Sequence, residues 1–323
     1  MTAQSNNVFL ALLASSLILL APTSVAIDLP AWAYPVNPPD FKPAADDGSI
    51  RRVPDSEGGL TLSQTRNRFF APDWHPQEHP TMPEVVVRGR MPDVSACGFC
   101  HRADGPGGPE NAGIAGLPYA YIVKQMADYK SGLRSTALPK RAPQALMIAL
   151  AKAITDEEIK TAAAYFSALK PRANIRVVET ASVYQISVAN WILSENKSGA
   201  KEPIGQRIIE VPEEPEHFES RDSHAKFVAY VPLGSIGKGE ALVMGKSPDK
   251  TPACATCHGP DLRGMDTAPP ISGRSPTYVV RQLYELQAGI RMGQNAAAMK
   301  VAVDKLNLED MISIAAYLAT RAH

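Results

Sequence analysis

Cys97-Gly98-Phe99-Cys100-His101 and Cys254-Ala255-Thr256-Cys257-His258 contain every cysteine of this 323-residue chain, and they lie 157 residues apart. Self-similarity at a fixed offset decides architecture before any local motif does. The same shift superposes Ile114 on Ile271, Gly116 on Gly273, Tyr121 on Tyr278, Gln125 on Gln282, Gly132 on Gly289 and Arg134 on Arg291. After a five-residue deletion in the second copy, Met147 falls on Met299, Ile159 on Met311 and Ala163-Ala164-Tyr165 on Ala315-Ala316-Tyr317. Two homologous units follow, and the pattern within each is helical. Tyr119 to Ser131 places Ile122, Met126 and Tyr129 on one face, and Gly132 suits its C-terminal cap. Asp156 to Leu169 opens with acidic residues and stops before Pro171. Thr277 to Ala288 and Leu308 to Thr320 repeat both helices, and Ser235 to Met244 is a further candidate whose Gly237 and Gly239 would admit another helix closely.

Cys-x-x-Cys-His is the attachment pattern for c-type haem. Two thiols about one helical turn apart can bond to the two vinyl groups on one porphyrin edge, while the adjacent imidazole reaches the iron. Cys-x-x-Cys alone would also suit a thioredoxin-like redox pair or half of a zinc site. Neither alternative requires His at the next position twice, and a four-cysteine zinc site would have to join two copies of one unit. The expected cofactors are therefore two covalently bound haem c groups, held through Cys97, Cys100, Cys254 and Cys257, with His101 and His258 on the iron.

The sixth ligand separates carrying electrons from transforming a substrate, because an open position binds small molecules. Met147 and Met299 are the candidates: they occupy matching places of the repeat, each ahead of its last helix. The alternative is that they are core methionines. Met126 pairs with Leu283 and reads as core; Met265 and Met292 have no Met counterpart, although Met292 is close enough to Met299 in sequence to replace it. His75, His79, His217 and His224 could supply a bis-His haem but occupy no repeated position, so they are expected as solvated loop residues, and His323 as a free chain end. Each proximal His needs its other nitrogen satisfied, commonly by a carbonyl. Pro269 would serve His258, and Ala112, at the aligned place, would serve His101 more loosely. Arg134 and Arg291 are candidates for pairing with haem propionates, with plain surface placement as the alternative.

Outside the units, Val8 to Ala21 is an apolar run followed by Ser24-Val25-Ala26, which predicts a signal peptide over 1–26 with cleavage after Ala26. The run is short for a bilayer span, although residues 1–7 lack the usual Lys or Arg, which leaves an uncleaved anchor as the alternative. No other segment is long and apolar enough to span. Residues 27–94 are Pro-rich and carry Trp32, Trp74, His75 and His79 without a period, which predicts an ordered strap. Residues 172–234 contain β-type runs at Ile175 to Val188, Arg207 to Val211 and Lys226 to Val231, expected to pack between the units. The units themselves occupy 95–171 and 235–323. Lys plus Arg and Asp plus Glu are both 33, which argues against a nucleic-acid partner held by bulk charge.

The two Cys-x-x-Cys-His motifs, the Ile-Ala-Gly and Ile-Ser-Gly turns, Tyr121-x-x-x-Gln125 with Tyr278-x-x-x-Gln282, and Met147 or Met299 ahead of an Ala-Ala-Tyr helix resemble the class I cytochromes c, especially the dihaem cytochrome c4 type. The likeness covers Ser95 to Pro171 and Ser235 to Arg321. It implies a mainly α fold of two tandem class I cytochrome c domains, each wrapping one haem ligated by His and Met. Here these are His101 with Met147 and His258 with Met299. It also implies a periplasmic, non-enzymatic electron carrier between redox proteins. Segments 27–94 and 172–234 depart from that pattern, the second as a long irregular, β-containing inter-domain segment, and suggest a dedicated partner. A periplasmic dehydrogenase would be the donor, to which this chain would serve as carrier or as cytochrome subunit, and an oxidase or another cytochrome the acceptor. Two other readings stand beside it: a catalytic dihaem enzyme such as a cytochrome c peroxidase, and a sulfur-oxidising enzyme with a distal Cys, for which no cysteine remains.

Overall fold

Gly116 and Gly273 adopt positive φ values of 67° and 66°, a backbone state that L side chains resist. At each, the amide donates to the last helix of its own repeat: Gly116 to Phe166 O at 3.0 Å and Gly273 to Leu318 O at 2.9 Å. The sequence repeat is thus a repeat of backbone geometry. The computed structural model describes residues 29–56, 58–196 and 198–323, together with Met1. Apart from that residue the expected leader over 1–26 lies outside them.

Helix boundaries follow the capping chemistry. Tyr119–Ser131 ends at Gly132, whose φ is 80° and whose amide donates to Tyr129 O. Asp156–Ala168 starts on a capping box in which Thr155 and Glu158 bond each other's backbone, and Leu308–Ala319 starts on the equivalent box of Asn307 and Asp310. Pro276–Gln287 begins with Pro at its first turn and Ser275 accepting from the Tyr278 amide. Ser235–Val243 crosses Leu308–Ala319 at Gly239, where a Cβ would lie 1.9 Å from Ser313 O. Gly237 faces open space, so only one of the two expected glycines serves a close approach.

Two helices had no clear sequence signature: Ala142–Ala153, which carries Met147, and Ala296–Val303, which carries Met299. The β-type runs form a three-stranded sheet in which Phe227–Val231 is central, parallel to Ile175–Glu179 and antiparallel to Ile209–Pro212. Ile186–Ala189 and Ile192–Glu195 make a hairpin closed by Asn190 and Trp191, both at positive φ as a two-residue turn of mirror-image type demands. The sheet docks on the second repeat. Val211, Val228, Ala229 and Val231 share one apolar core with Ile312, Ile314 and Leu318. There Glu210, buried, accepts from the Thr277 amide at 3.1 Å and from Ser275 Oγ at 2.8 Å at the head of Pro276–Gln287. The 215–224 stretch of the same segment turns instead to the first repeat.

The Pro-rich strap ties both halves together. Its Trp32, Ala33 and Tyr34 enter the core of the second repeat, and Arg281 donates to Ala33 O at 2.8 Å. Val85 and Val86 enter the core of the first. Among the described residues, no helix is long and apolar enough to cross a membrane.

The histidines expected as solvated loop residues are structural. His75 is 2% exposed and donates from Nε2 to Asp222 at 3.1 Å; His79 bonds Asp73 at 3.1 Å and the Tyr165 hydroxyl at 3.1 Å. His224 bonds Glu78 at 2.9 Å, and His217 sits 3.6 Å from Asp222. Ligand atoms of His75, Glu78 and His224 come within 4.8 Å of one another. The two imidazoles, however, stack 3.6 Å apart and 4° from parallel, so their in-plane lone pairs cannot converge on one ion as they stand. The trio staples strap to inserted segment. His323 is not free either: its ring lies against Gly273, and burial lowers its pKa to about 4.

Candidate functional site

Each Cys-x-x-Cys-His motif forms a short helical turn, Cys97–His101 and Ala255–His258, the second entered at Cys254. All four cysteines are free. Burial pushes the Cys97 thiol up to about 12 and the Cys254 thiol up to about 11. His101 Nδ1 donates to Ala112 O at 2.8 Å and His258 Nδ1 to Pro269 O at 2.7 Å. The carbonyls are those expected, but the first contact is as tight as the second, so Pro269 confers no advantage over Ala112. These bonds fix the tautomer and leave Nε2 to face a ligand. Burial lowers the pKa of both imidazoles, favouring the neutral, coordinating form. Unpaired thiols one turn apart beside an oriented neutral imidazole form the donor set a covalently held haem requires.

Met147 and Cys97 pack against one apolar cluster, and Met299 and Cys254 against the other. Met126 is buried in the first core, whereas Met265 and Met292 are exposed. Met292 is held at the seam between repeats by its amide, which donates to Leu133 O at 2.7 Å.

Arg134 and Arg291 build that seam. They are bridge partners in an antiparallel pair, and each guanidinium reaches across. Arg134 donates to Gln125 Oε1 at 2.8 Å, Gln282 Oε1 at 2.9 Å and the Tyr278 hydroxyl at 3.3 Å. Arg291 donates to Gln282 Oε1 at 3.0 Å, Gln125 Oε1 at 2.8 Å and the Tyr121 hydroxyl at 2.7 Å. Residues that the 157-residue shift superposes thus meet about a local pseudo-twofold axis. Arg134 is 6% exposed, which excludes plain surface placement.

Around the motifs themselves the symmetry breaks. Gly98 lies so close beneath the strap that a Cβ would be 2.8 Å from the Ala71 Cβ; its counterpart Ala255 already carries one. Arg221, from the inserted segment, donates to Phe99 O at 2.9 Å and Thr65 O at 3.0 Å, and its guanidinium lies 3.6 Å from the centre of the Phe99 ring. Burial and the neighbouring Arg102 lower its pKa to about 10, which leaves it charged at neutral pH. Arg102 is buried with Glu110 at 3.3 Å. The matching positions of the second motif hold Thr256, Gly259 and Thr267, and Cys257 is exposed. Arg221 escaped sequence reasoning because its segment is not repeated and carries no motif.

No family model matches the chain. It is 26% identical over 232 residues to cytochrome c4 of Azotobacter vinelandii, across 70% of this chain and 84% of that protein. It is 36% identical over 74 residues to cytochrome c-554(548) of Halomonas halodenitrificans, 23% of this chain and 89% of that one. The chain is a dihaem class I cytochrome c, cytochrome c4-like. Among solved structures, a thiosulfate dehydrogenase from Marichromatium purpuratum aligns with a TM-score of 0.50 and 25% identity, covering 74% of this chain and 39% of that one. This cytochrome carries two covalently bound haem c groups and is an electron carrier.

Proposed function

We propose that this cytochrome passes electrons through two His/Met haems, one ligated by His101 and Met147 and the other by His258 and Met299, each in a separate class I domain, 95–171 and 235–323. The observation that carries the reading is the pairing of each repeated Met with the first Cys of its own motif at one apolar cluster. Thioether sulfur is soft and uncharged, so it favours ferrous iron and raises the potential relative to a second imidazole. The bound haems supply the one-electron chemistry. The protein's part is to hold the imidazoles neutral through Ala112 and Pro269, and to close the sixth positions so that no reagent reaches the metal.

We infer further that residues 1–26 direct export to a periplasmic space, and that the donor is a dehydrogenase to which this chain serves as cytochrome subunit or acceptor, passing electrons on to an oxidase or another cytochrome. Likeness to a thiosulfate dehydrogenase supports a dehydrogenase context, and segments 27–94 and 172–234 are the surfaces that a dedicated partner would read. The test is optical and magnetic spectroscopy of the ferric protein. Two thioether-ligated irons are expected, with Met147→Ala and Met299→Ala each removing one. Ready carbon monoxide binding at either haem of the reduced, folded wild type would sink the reading.

A further inference from the structure

We propose that the inserted segment makes haem 1 the higher-potential site of the pair by laying the Arg221 guanidinium against the Cys97–His101 turn, so that an electron entering at haem 2 comes to rest on haem 1. The inference rests on the His/Met reading above. Among the described residues Arg221 makes no ion pair; its partners are the carbonyls of Thr65 and Phe99. Its neighbour Arg102 is matched by Glu110, and Arg66 shares Glu219 with Arg51. Arg221 is thus a guanidinium without an ion pair that donates directly to the backbone of the first motif. At the second motif the Arg291 guanidinium acts on the His258 imidazole, but among the described residues no charged side chain hydrogen-bonds to the backbone of Cys254–His258.

The placement is enforced from several sides. Arg221 has φ of 56°, a conformation that costs a non-glycine residue free energy and persists only where its surroundings impose it. The Trp74 indole donates to Ser220 O at 2.9 Å on one side. On the other, the Asp222 carboxylate accepts from His75 and from the His224 amide at 2.9 Å. Strap and inserted segment together thus hold one cation against the Cys97–His101 turn.

The physical effect has a definite sign. Reduction adds one electron and no proton to a haem, so a nearby fixed cation stabilises the reduced state and raises the potential. When one electron passes from haem 2 to haem 1, haem 2 is oxidised, haem 1 is reduced and no bond changes.

The experiment is a potentiometric titration of the full dihaem protein, with each wave assigned by its sensitivity to Met147→His or Met299→His. In the wild type the Met147-sensitive wave should be the higher. Arg221→Gln should lower that wave by about tenfold in its reduction equilibrium constant, ~59 mV for one electron, and leave the other in place. Arg221→Lys, which keeps the charge, should shift it less, and it serves with the wild-type order if the Gln variant fails to accumulate. The proposal is overturned if both waves move together, if neither moves in folded Arg221→Gln protein with intact thioether signatures, or if the Met299-sensitive wave is the higher. Absence of thioether signatures from the wild type would instead overturn the ligand assignment.

Discussion

The two Cys-x-x-Cys-His turns share their cysteines, their histidine and the carbonyl bond behind it, yet strap and inserted segment press on the first. Over the first, the strap presses Ala71 onto Gly98 and the inserted segment sets Arg221 on Phe99. Among the described residues, neither segment hydrogen-bonds to the backbone of the second. Duplication kept what ligation chemistry demands. The unrepeated segments distinguish the copies by electrostatics and packing, which are properties of the surroundings and not of the donor set.

The largest effect should come where the sites are expected to be equal. Met147→His and Met299→His should each lower one reduction wave, and only one, by on the order of hundreds of millivolts, within the ~0.8 V that axial ligands span. Redox titration reads this directly, and a variant that moved both waves equally would break the equivalence of the sites.

The seam offers a second test of symmetry. Gln125 and Gln282 each accept from both arginines. Gln125→Ala and Gln282→Ala should each cost roughly 1.5–3 kcal/mol in equilibrium unfolding, by similar amounts, because bonds to charged donors are strong and the arginines are left buried. The double variant should cost less than the sum, since both lose the same partners.

Where the sites differ, matched substitutions should give unequal answers. Gly98→Ala forces a Cβ onto Ala71 and should destabilise the protein by about 1–3 kcal/mol. Ala255→Gly at the equivalent position should cost only about 0.5–1 kcal/mol through helix propensity. Equal costs on urea titration would mean that the strap exerts no pressure on the first turn.

The smallest effect concerns the strap itself. The bond to Asp73 raises the pKa of His79 in the folded protein. His79 therefore contributes stability that is complete below its unfolded value of about 6.5 and is lost as pH rises through the raised value. Its size should stay under about 1 kcal/mol. Hydrogen exchange of the strap compared between wild type and His79→Gln at pH 5.5 and pH 8 should show a difference at the lower pH that shrinks at the higher. A difference that grew with pH would contradict the sign.

Much of this molecule was legible without coordinates. The Cys-x-x-Cys-His motifs, the shift that aligns Met147 with Met299, and the capped helices ending at Gly132 or starting near Asp156 all follow from local rules: ligand spacing, periodicity and the needs of orphaned backbone groups. Helices Ala142–Ala153 and Ala296–Val303 were less so, because apolar residues on more than one side of each blur a helical period.

The tertiary structure alone decided the fate of the charged and polar residues. Arg134 and Arg291 carried no sign in sequence that they would face each other, and the fold sets both in the symmetric seam; His75, His79 and His224 looked solvated and became staples; Arg221 gave no signal and became the cation beside the first motif. The reason is physical. Covalent attachment and helix capping depend on neighbours a few residues away, whereas the role of a buried charge depends on which distant carbonyl or carboxylate the fold brings to it, and one chain read alone does not specify that meeting.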